Sequence, residues 1–289
     1  MLAVTIVALS LGSRHVRLAA VGDVMLARWV SKRIERQGPG EIFAGVASEL
    51  QKADVLVGNL ECALTQCAPV SHKPILLRAD PRLAAELGRV GFSALSLANN
   101  HSRDCGLMGV KESRAALAAA NIKSVGPEPT PVIIEKNGLK IGILGLVDLP
   151  DDALSPRGEW RRAMSKLRKK VDVVSVMIHW GTEGSDQESP SQRRLAQTLA
   201  NLGADVILGS HPHVLQPVRW IRGQHHRRCL VAYSLGNFVF DARPGNERKT
   251  EILSIELAPA GAVTFQVMPV RIDKGFPILV KARKAPLPN

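Results

Sequence analysis

The chain has 289 residues, of which 45% are hydrophobic and 22% are charged, and this balance excludes a disordered or fibrous protein. Its length suits one large layered α/β domain. The net charge of +12 fits either a solvated basic surface or an anionic partner, such as a phosphate ester, an acidic polymer or a membrane lipid. Because no helix-turn-helix, RRM or zinc-finger pattern accompanies the charge, we expect no specific nucleic-acid partner.

Short apolar, β-branched runs alternate with longer helical patterns, and this alternation predicts an α/β fold. The predicted strands are Val16–Val21, Val55–Val57, Ala94–Leu97, Val132–Ile134, Ile141–Leu146, Val173–Ile178, Val206–Leu208, Leu230–Tyr233, Ile252–Leu257 and Thr264–Val270. The predicted helices are Phe43–Gln51, Arg82–Val90, Gly109–Ala120, Glu159–Lys170 and Ser191–Leu202. Asn137-Gly138 predicts a hairpin turn, and Ser189 or Ser191 beside Pro190 would begin the last helix.

The two ends of the chain differ from the predicted domain. Met1–Gly12 is apolar, too short to span a bilayer, and without the basic start and cleavage site of a signal peptide. It is either a first strand or the remnant of an export or anchor segment. We therefore expect a domain at residues 14–273, preceded by a short apolar segment at 1–13 and followed by a basic, proline-containing tail at 274–289.

The sequence also contains two basic clusters and four cysteines. The basic clusters are Arg157–Lys170 and His225–Arg228. The cysteines are Cys62, Cys67, Cys105 and Cys229. They form no C-x-x-C pair, which favours reduced thiols that pack as small hydrophobic groups. A bond between Cys62 and Cys67 is the alternative in an oxidising compartment.

Side chains that can bind metals follow one predicted strand after another. These side chains are Asp23, Asn59, Glu61, Asn99, Asn100, His101, Asp104, His179, Glu183, His211, His213 and Asn237. Taken singly, an Asp after a strand is often a helix cap, and an Asn-rich segment is often a turn. Together they bring carboxylate, amide and imidazole groups to the strand ends where α/β sheets bind ligands. That mixture suits Zn²⁺, Mn²⁺ or Fe rather than Ca²⁺.

The strongest single signal is the segment Gly209-Ser210-His211-Pro212-His213. Two histidines two residues apart on an extended backbone would point to the same side, and the proline would stiffen their spacing. Since neutral imidazole is the commonest metal ligand, this pair favours a metal site over a structural role.

The ordered segments GDVML, GNLE, ANNHSRDCG, HWGTE, GSHPH and YSLGNFVFD, which run from about Val16 to Asp241, resemble the CapA family. These capsule or poly-γ-glutamate biosynthesis proteins, also called PgsA-like, are a branch of the calcineurin-like metallophosphatase superfamily. The resemblance implies a four-layer α/β/β/α metallophosphatase-like sandwich of two mixed sheets flanked by helices. It also implies one or two divalent metal ions (Mn, Zn or Fe).

The resemblance further implies roles for individual residues. Asp23 and His213 would bind a first metal, Asn100, His179 and His211 a second, and Glu61 would bridge the two. His101 would face the substrate, with Asp104 holding its imidazole, and Asn59, Glu183 and Asn237 would orient ligands or contact substrate. The chain departs from the wider superfamily at Met25, where a histidine is usual, and at Glu61, where the bridging residue is usually Asp. The first metal would therefore lack one nitrogen ligand.

The function implied is a metal-dependent hydrolase that acts on a phosphoester or an anionic polymer in capsule or poly-γ-glutamate biosynthesis. Amide hydrolysis of a γ-glutamyl polymer would use the same site. The alternative is a non-catalytic, metal-stabilised binding or assembly protein for an anionic cell-surface polymer, which Met25 slightly favours. Family resemblance places the protein in the cell envelope, with a membrane-associated polymer synthesis complex as partner. A cytoplasmic location would follow if Met1 is the true start.

Overall fold

The computed structural model describes residues 14–70, 73–150, 157–224 and 227–280. The strands are β1 Val16–Val24, β2 Val55–Leu60, β3 Ala63–Leu64, β4 Arg78–Ala79, β5 Phe92–Ser96, β6 Lys123–Val125, β7 Val132–Lys136, β8 Leu139–Asp148, β9 Val173–Trp180, β10 Val206–Ser210, β11 Val218–Arg222, β12 Arg228–Ala232, β13 Asn237–Val239, β14 Lys249–Ala258, β15 Gly261–Asp273 and β16 Phe276–Leu279. The helices are α1 Arg28–Gln37, α2 Ala47–Leu50, α3 Ala84–Val90, α4 Gly106–Ala119, α5 Arg157–Arg168 and α6 Pro190–Asn201. The predicted segment 1–13, the end of the predicted tail at 281–289, and His225 and His226 lie outside these ranges.

Two mixed sheets form the centre of the fold. The first has the order β16-β15-β14-β1-β2-β5-β6, with β13 also paired to β1. The second has the order β11-β12-β10-β9-β8-β7. Strands β1, β2, β5 and β6 run parallel in the first sheet, as do β8, β9, β10 and β12 in the second. Several strand ends therefore open at one edge of each sheet, which is where such sheets bind ligands.

Alternate side chains of β1 show how the layers are built. Leu18 and Ala20 pack between the sheets, against residues of the second sheet such as Ile141. Ala19 and Val21 point the other way and pack under helices α1 to α4. Strands buried on both faces must be apolar throughout, which explains their continuous hydrophobic runs. Helices α5 and α6 cover the outer face of the second sheet. The four-layer α/β/β/α prediction is confirmed.

Every predicted strand and helix overlaps an observed one, and two local predictions hold in detail. Strands β7 and β8 pair antiparallel around Asn137 and Gly138, which both have positive φ. Helix α6 begins at Pro190 with a capping box in which Ser189 and Gln192 exchange hydrogen bonds of 3.1 and 2.9 Å. This exchange satisfies backbone donors that a helix start leaves unpaired.

Other elements differ from the prediction. The segment Phe43–Gln51 keeps only the short helix α2. Gly45, just before it, packs against β16, where an added Cβ would be 2.8 Å from Ile278. Helix α1 was not predicted, since only Val30 and Ile34 of its basic sequence are buried. Strand β16 pairs with β15, so the sheet continues beyond the boundary expected at residue 273.

The basic segment and the cysteines have ordinary structural surroundings. Helix α5 buries Trp160, Met164 and Leu167 while its described basic side chains face outward or, in the case of Arg168, bind Asp205 at 2.7 Å. All four cysteines lie in the described ranges and are free thiols. None of the helices in the described part of the chain is both long and apolar enough to cross a bilayer.

Candidate metal centre

Three polar side chains meet where β1, β2 and β13 lie side by side. The strand register places Asp23 next to Asn59 on one side and Asn237 on the other. Asn59 donates a hydrogen bond of 2.8 Å to Asp23 Oδ1. The strands approach this closely because residue 22 is glycine: a Cβ there would lie 1.9 Å from the Gly236 carbonyl oxygen. Gly22 is therefore required for Asp23 to reach the site.

The second sheet brings imidazoles to the same place. His179 lies one residue before the end of β9 and is fully buried. Its Nε2 atom lies 3.0 Å from Asn100 Oδ1 and 3.2 Å from His211 Nδ1. His213, in the turn after β10, has its Nδ1 atom 3.3 Å from Asp23 Oδ2. The structure thus brings together both sets of residues that the sequence predicted as metal ligands. We call Asp23 with His213 the first site, and Asn100, His179 and His211 the second site.

Glu61 lies between the two sites. Its Oε1 atom is 3.9 Å from His179 Nε2 and 3.7 Å from His213 Nε2. Ligand atoms about 2.1 Å from one cation lie about 3.0–4.2 Å apart, so these distances fit shared cations. In the described structure, Glu61 Oε1, Glu61 Oε2 and Asp23 Oδ2 are buried without a hydrogen-bond partner. Buried carboxylate oxygens are costly without compensation, and a cation would supply it.

The pKa values of the side chains in the centre reflect their burial and their charged neighbours. Burial, and then the neighbouring Asp23, hold the pKa of Glu61 well above its ordinary value. Burial and then its imidazole neighbours lower the pKa of His179, while burial and then His213 lower the pKa of His211 to about 4. Burial also acts to lower the pKa of His213, but Glu61 and Asp23 outweigh it and raise that pKa to about 10. When ionised, the carboxylates need a positive partner, which a protonated His213 or a divalent cation can supply.

The backbone of the histidine pair differs from the prediction. His211 and His213 have φ values of 96° and 58°, in the left-handed region, rather than an extended conformation. Their ring centroids are nevertheless 6.0 Å apart. Non-glycine residues in this region cost about 1–3 kcal/mol each and cluster at functional sites. The two imidazoles therefore meet through a strained turn after β10, which a period-two pattern does not show.

His101 and Asp104 form a hydrogen-bonded pair next to the candidate metal ligands. His101 Nδ1 lies 2.8 Å from Asp104 Oδ2, which also accepts a hydrogen bond of 2.8 Å from the Leu77 backbone N–H. Asp104 is fully buried. With Nδ1–H directed at the carboxylate, Nε2 of His101 is the atom that can exchange a proton. Lys73 contacts the Asn100 carbonyl oxygen and lies 3.8 Å from Asp104 Oδ1.

The remaining predicted residues also lie in or beside the centre. His213 Nδ1 is 2.9 Å from Asn237 Oδ1, and Asn237 Nδ2 donates to the His213 carbonyl oxygen at 3.1 Å. Glu183 is exposed, with a carboxylate oxygen near ring nitrogens of both His211 and His213. Met25 is fully buried, and its sulfur accepts a contact of 3.1 Å from the Ala27 N–H. Position 25 therefore offers the centre no ligand.

Sequence reasoning missed two side chains that touch the centre. Ser210 has no role in the sequence prediction, yet its hydroxyl lies 2.8 Å from His179 Nδ1. This contact orients His179 with Nε2 toward Asn100. A signal was available, because Ser210 follows the predicted strand Val206–Leu208 by two residues and directly precedes His211. The sequence around Lys73 has no periodic pattern, so nothing local in it indicates a role.

Comparison with known proteins agrees with this geometry. The sequence model for the bacterial capsule synthesis protein PGA_cap matches residues 17–242. The chain belongs to the PGA_cap family. Among its relatives is the PGA biosynthesis protein CapA of Bacillus subtilis, 31% identical over 281 residues that cover 90% of this chain and 73% of the relative. The capsule biosynthesis protein CapA of Bacillus anthracis is 29% identical over 90% of this chain and 68% of its own length.

Two solved structures share the fold of this PGA_cap chain. A crystal structure described as a novel phosphatase from Mycoplasma pneumoniae aligns with a TM-score of 0.60 over 90% of this chain and 94% of that one, at 13% identity. A hypothetical protein from Thermus thermophilus aligns with a TM-score of 0.54 at 18% identity, over 88% and 98% of the two chains. At such identities the likeness concerns the fold. The resemblance to the CapA family seen in the sequence is confirmed.

Proposed function

We propose that this PGA_cap protein is a metal-dependent hydrolase that cleaves a phosphoester bond in an anionic substrate linked to capsule or poly-γ-glutamate biosynthesis. One observation carries the proposal. The unpartnered, buried oxygens of Asp23 and Glu61 face the imidazoles of His179 and His213. His101 follows Asn100 directly in the chain. Buried charge of this kind is kept for binding or catalysis rather than for stability.

The donor set defines which residues would hold cations. Asp23 and His213 would hold one ion, Asn100, His179 and His211 the other, with Glu61 between them. The mixture of carboxylate, amide and imidazole suits Mn²⁺, Zn²⁺ or Fe. Divalent ions bound there would act as Lewis acids on the substrate and lower the pKa of water toward about 7.

The protein's own groups would handle orientation and protons. His101 Nε2 would donate a proton to the leaving-group oxygen, and Asp104 would keep Nδ1 protonated and the ring fixed. Leu77 N–H stabilises the Asp104 carboxylate in that role. Asn59 and Asn237 would hold Asp23 and His213 in place. The +12 net charge would attract an anionic substrate.

One observation favours a second function, a metal-stabilised protein that binds an anionic cell-surface polymer without cleaving it. Met25 turns its sulfur to the Ala27 backbone and leaves the first site with fewer ligands than the second. A single tightly held cation without turnover would support this binding function, whereas two equivalents with turnover would support hydrolysis.

An activity assay with matched variants tests the proposal. Phosphodiester and phosphomonoester p-nitrophenyl substrates would be offered with added Mn²⁺, beside a γ-glutamyl polymer to detect amide hydrolysis. The variants are His211→Ala, His101→Ala and, as control, His15→Ala at an exposed position outside the centre. We expect both site variants to lose at least about 100-fold in rate and His15→Ala to match wild type. Equal rates for all four proteins would refute hydrolysis at this centre.

A further inference from the structure

The first site has fewer metal ligands than the second site. Asp23 and His213, with Glu61 shared between the sites, provide its ligands. Met25 is buried and directs its sulfur to its own backbone segment. A further ligand must therefore come from a loop above the strand ends, or the site stays weaker than its neighbour.

Glu183 is placed to provide that ligand. Its carboxylate oxygen and ring nitrogens of His211 and His213 all lie within 4.8 Å of one another. The ligand atoms of Asp23, Glu61 and His179 also lie within 4.8 Å of one another. His213 connects the two groups, because its Nδ1 atom is 3.3 Å from Asp23 Oδ2. Glu183 approaches the histidines from the exposed side of the centre, while the other two carboxylates approach from inside the sheet.

The loop that carries Glu183 is fixed to the histidine turn. The Gly184 N–H donates a hydrogen bond of 2.9 Å to the Pro212 carbonyl oxygen, between the two histidines. Gly181 and Gly184 have φ values of 91° and 75°, which favour glycine. A Cβ on Gly181 would also lie 2.9 Å from the Gln192 side chain. The backbone that carries Glu183 is therefore held beside the histidine turn.

We propose that Glu183 is a direct ligand of the cation in the first site and replaces the nitrogen ligand that Met25 cannot supply. The inference rests on the proposed function, since it assumes that the centre holds cations. A carboxylate at this point adds an oxygen donor to a site with few ligands, and it closes the solvent side of the centre. A residue that acted only through His213 would also weaken the cation, so the loss of affinity must be accompanied by the loss of one oxygen ligand from the Mn²⁺ coordination shell, which X-ray absorption spectroscopy counts.

Calorimetric titration of the metal-free protein with Mn²⁺ tests this assignment. The proteins are wild type, Glu183→Gln and the control Asp186→Asn, which removes an exposed carboxylate from the same loop. We expect Glu183→Gln to weaken one of two binding equivalents by about tenfold or more and to leave the other unchanged. Asp186→Asn should titrate like wild type. Circular dichroism would confirm that all three proteins are folded.

Each contrary outcome has a distinct meaning. Two unchanged equivalents in Glu183→Gln would overturn the assignment while leaving the proposed function intact. Equal weakening in Glu183→Gln and Asp186→Asn would also overturn it, because a general charge effect would then explain the loss. If wild type binds no Mn²⁺, the proposed function itself fails together with the inference.

Discussion

A buried carboxyl outside the metal centre yields a quantitative prediction about stability. Glu251 lies in β14, is 8% exposed, and its Oε1 atom has no hydrogen-bond partner in the described structure. Burial raises its pKa from the ordinary 4.5 to about 7. A pKa difference of one corresponds to about 1.4 kcal/mol, so ionised Glu251 costs the folded state about 3 kcal/mol.

The sign follows from which state holds the proton longer. The folded protein keeps Glu251 protonated up to about pH 7, whereas the unfolded chain releases the proton near pH 4.5. The contribution of Glu251 to the free energy of unfolding is therefore highest below pH 4.5 and falls as the pH rises toward 7. About 2–3 kcal/mol of this loss falls between pH 5 and pH 8. The Glu251→Gln variant has no carboxyl group at this position and should not show this loss of stability.

Urea unfolding at both pH values, with a chelator present, measures the effect. Because the other groups titrate in both proteins, the quantity to compare is the difference between Glu251→Gln and wild type. We expect this difference to favour the variant by about 2–3 kcal/mol more at pH 8 than at pH 5. Glu135→Gln, at an exposed position in β7, should show no such change. If the Glu251→Gln difference is the same at both pH values, the reasoning is refuted.

Two further substitutions test how the centre is built. Ser210→Ala removes the hydroxyl that orients His179. We expect the Mn²⁺ affinity of the second site, measured by titration, to fall about 10–100-fold while circular dichroism shows an intact fold. Unchanged affinity would contradict this role of Ser210. Gly22→Ala places a Cβ 1.9 Å from the Gly236 carbonyl oxygen, so we expect little folded protein by thermal melting, whereas Gly40→Ala, with 3.6 Å to its nearest neighbour, should melt close to wild type. A folded Gly22→Ala protein with normal stability would show that the strands need not approach this closely.

Much of the fold follows from local patterns in the sequence. Strand β1 is apolar on both faces because Leu18 meets the second sheet and Ala19 meets the helices. Such runs are visible without a structure. Helix α1 was not visible, because its stability comes from two buried residues, Val30 and Ile34, rather than from a full apolar stripe. Helix α2 is shorter than predicted, and the pattern did not show that Gly45 before it packs against β16.

The ligand types of the candidate site were predictable, but their geometry was not. Residue type and strand-end position were enough to predict that Asp23, Glu61 and His179 belong together. The left-handed turn at His211 and the contact of Lys73 with Asn100 depend on how distant loops pack. Those contacts arise in tertiary structure, which a one-dimensional pattern does not contain.

The central claim is that the strand-end cluster holds two cations with Glu61 between them. Crystals grown with Mn²⁺ and measured for anomalous scattering test it most directly. We predict two anomalous peaks about 3.5–4 Å apart, one beside Asp23 and His213 and the other beside His179 and His211, with Glu61 touching both. Crystals at saturating Mn²⁺ with no anomalous peak among these residues would contradict the claim.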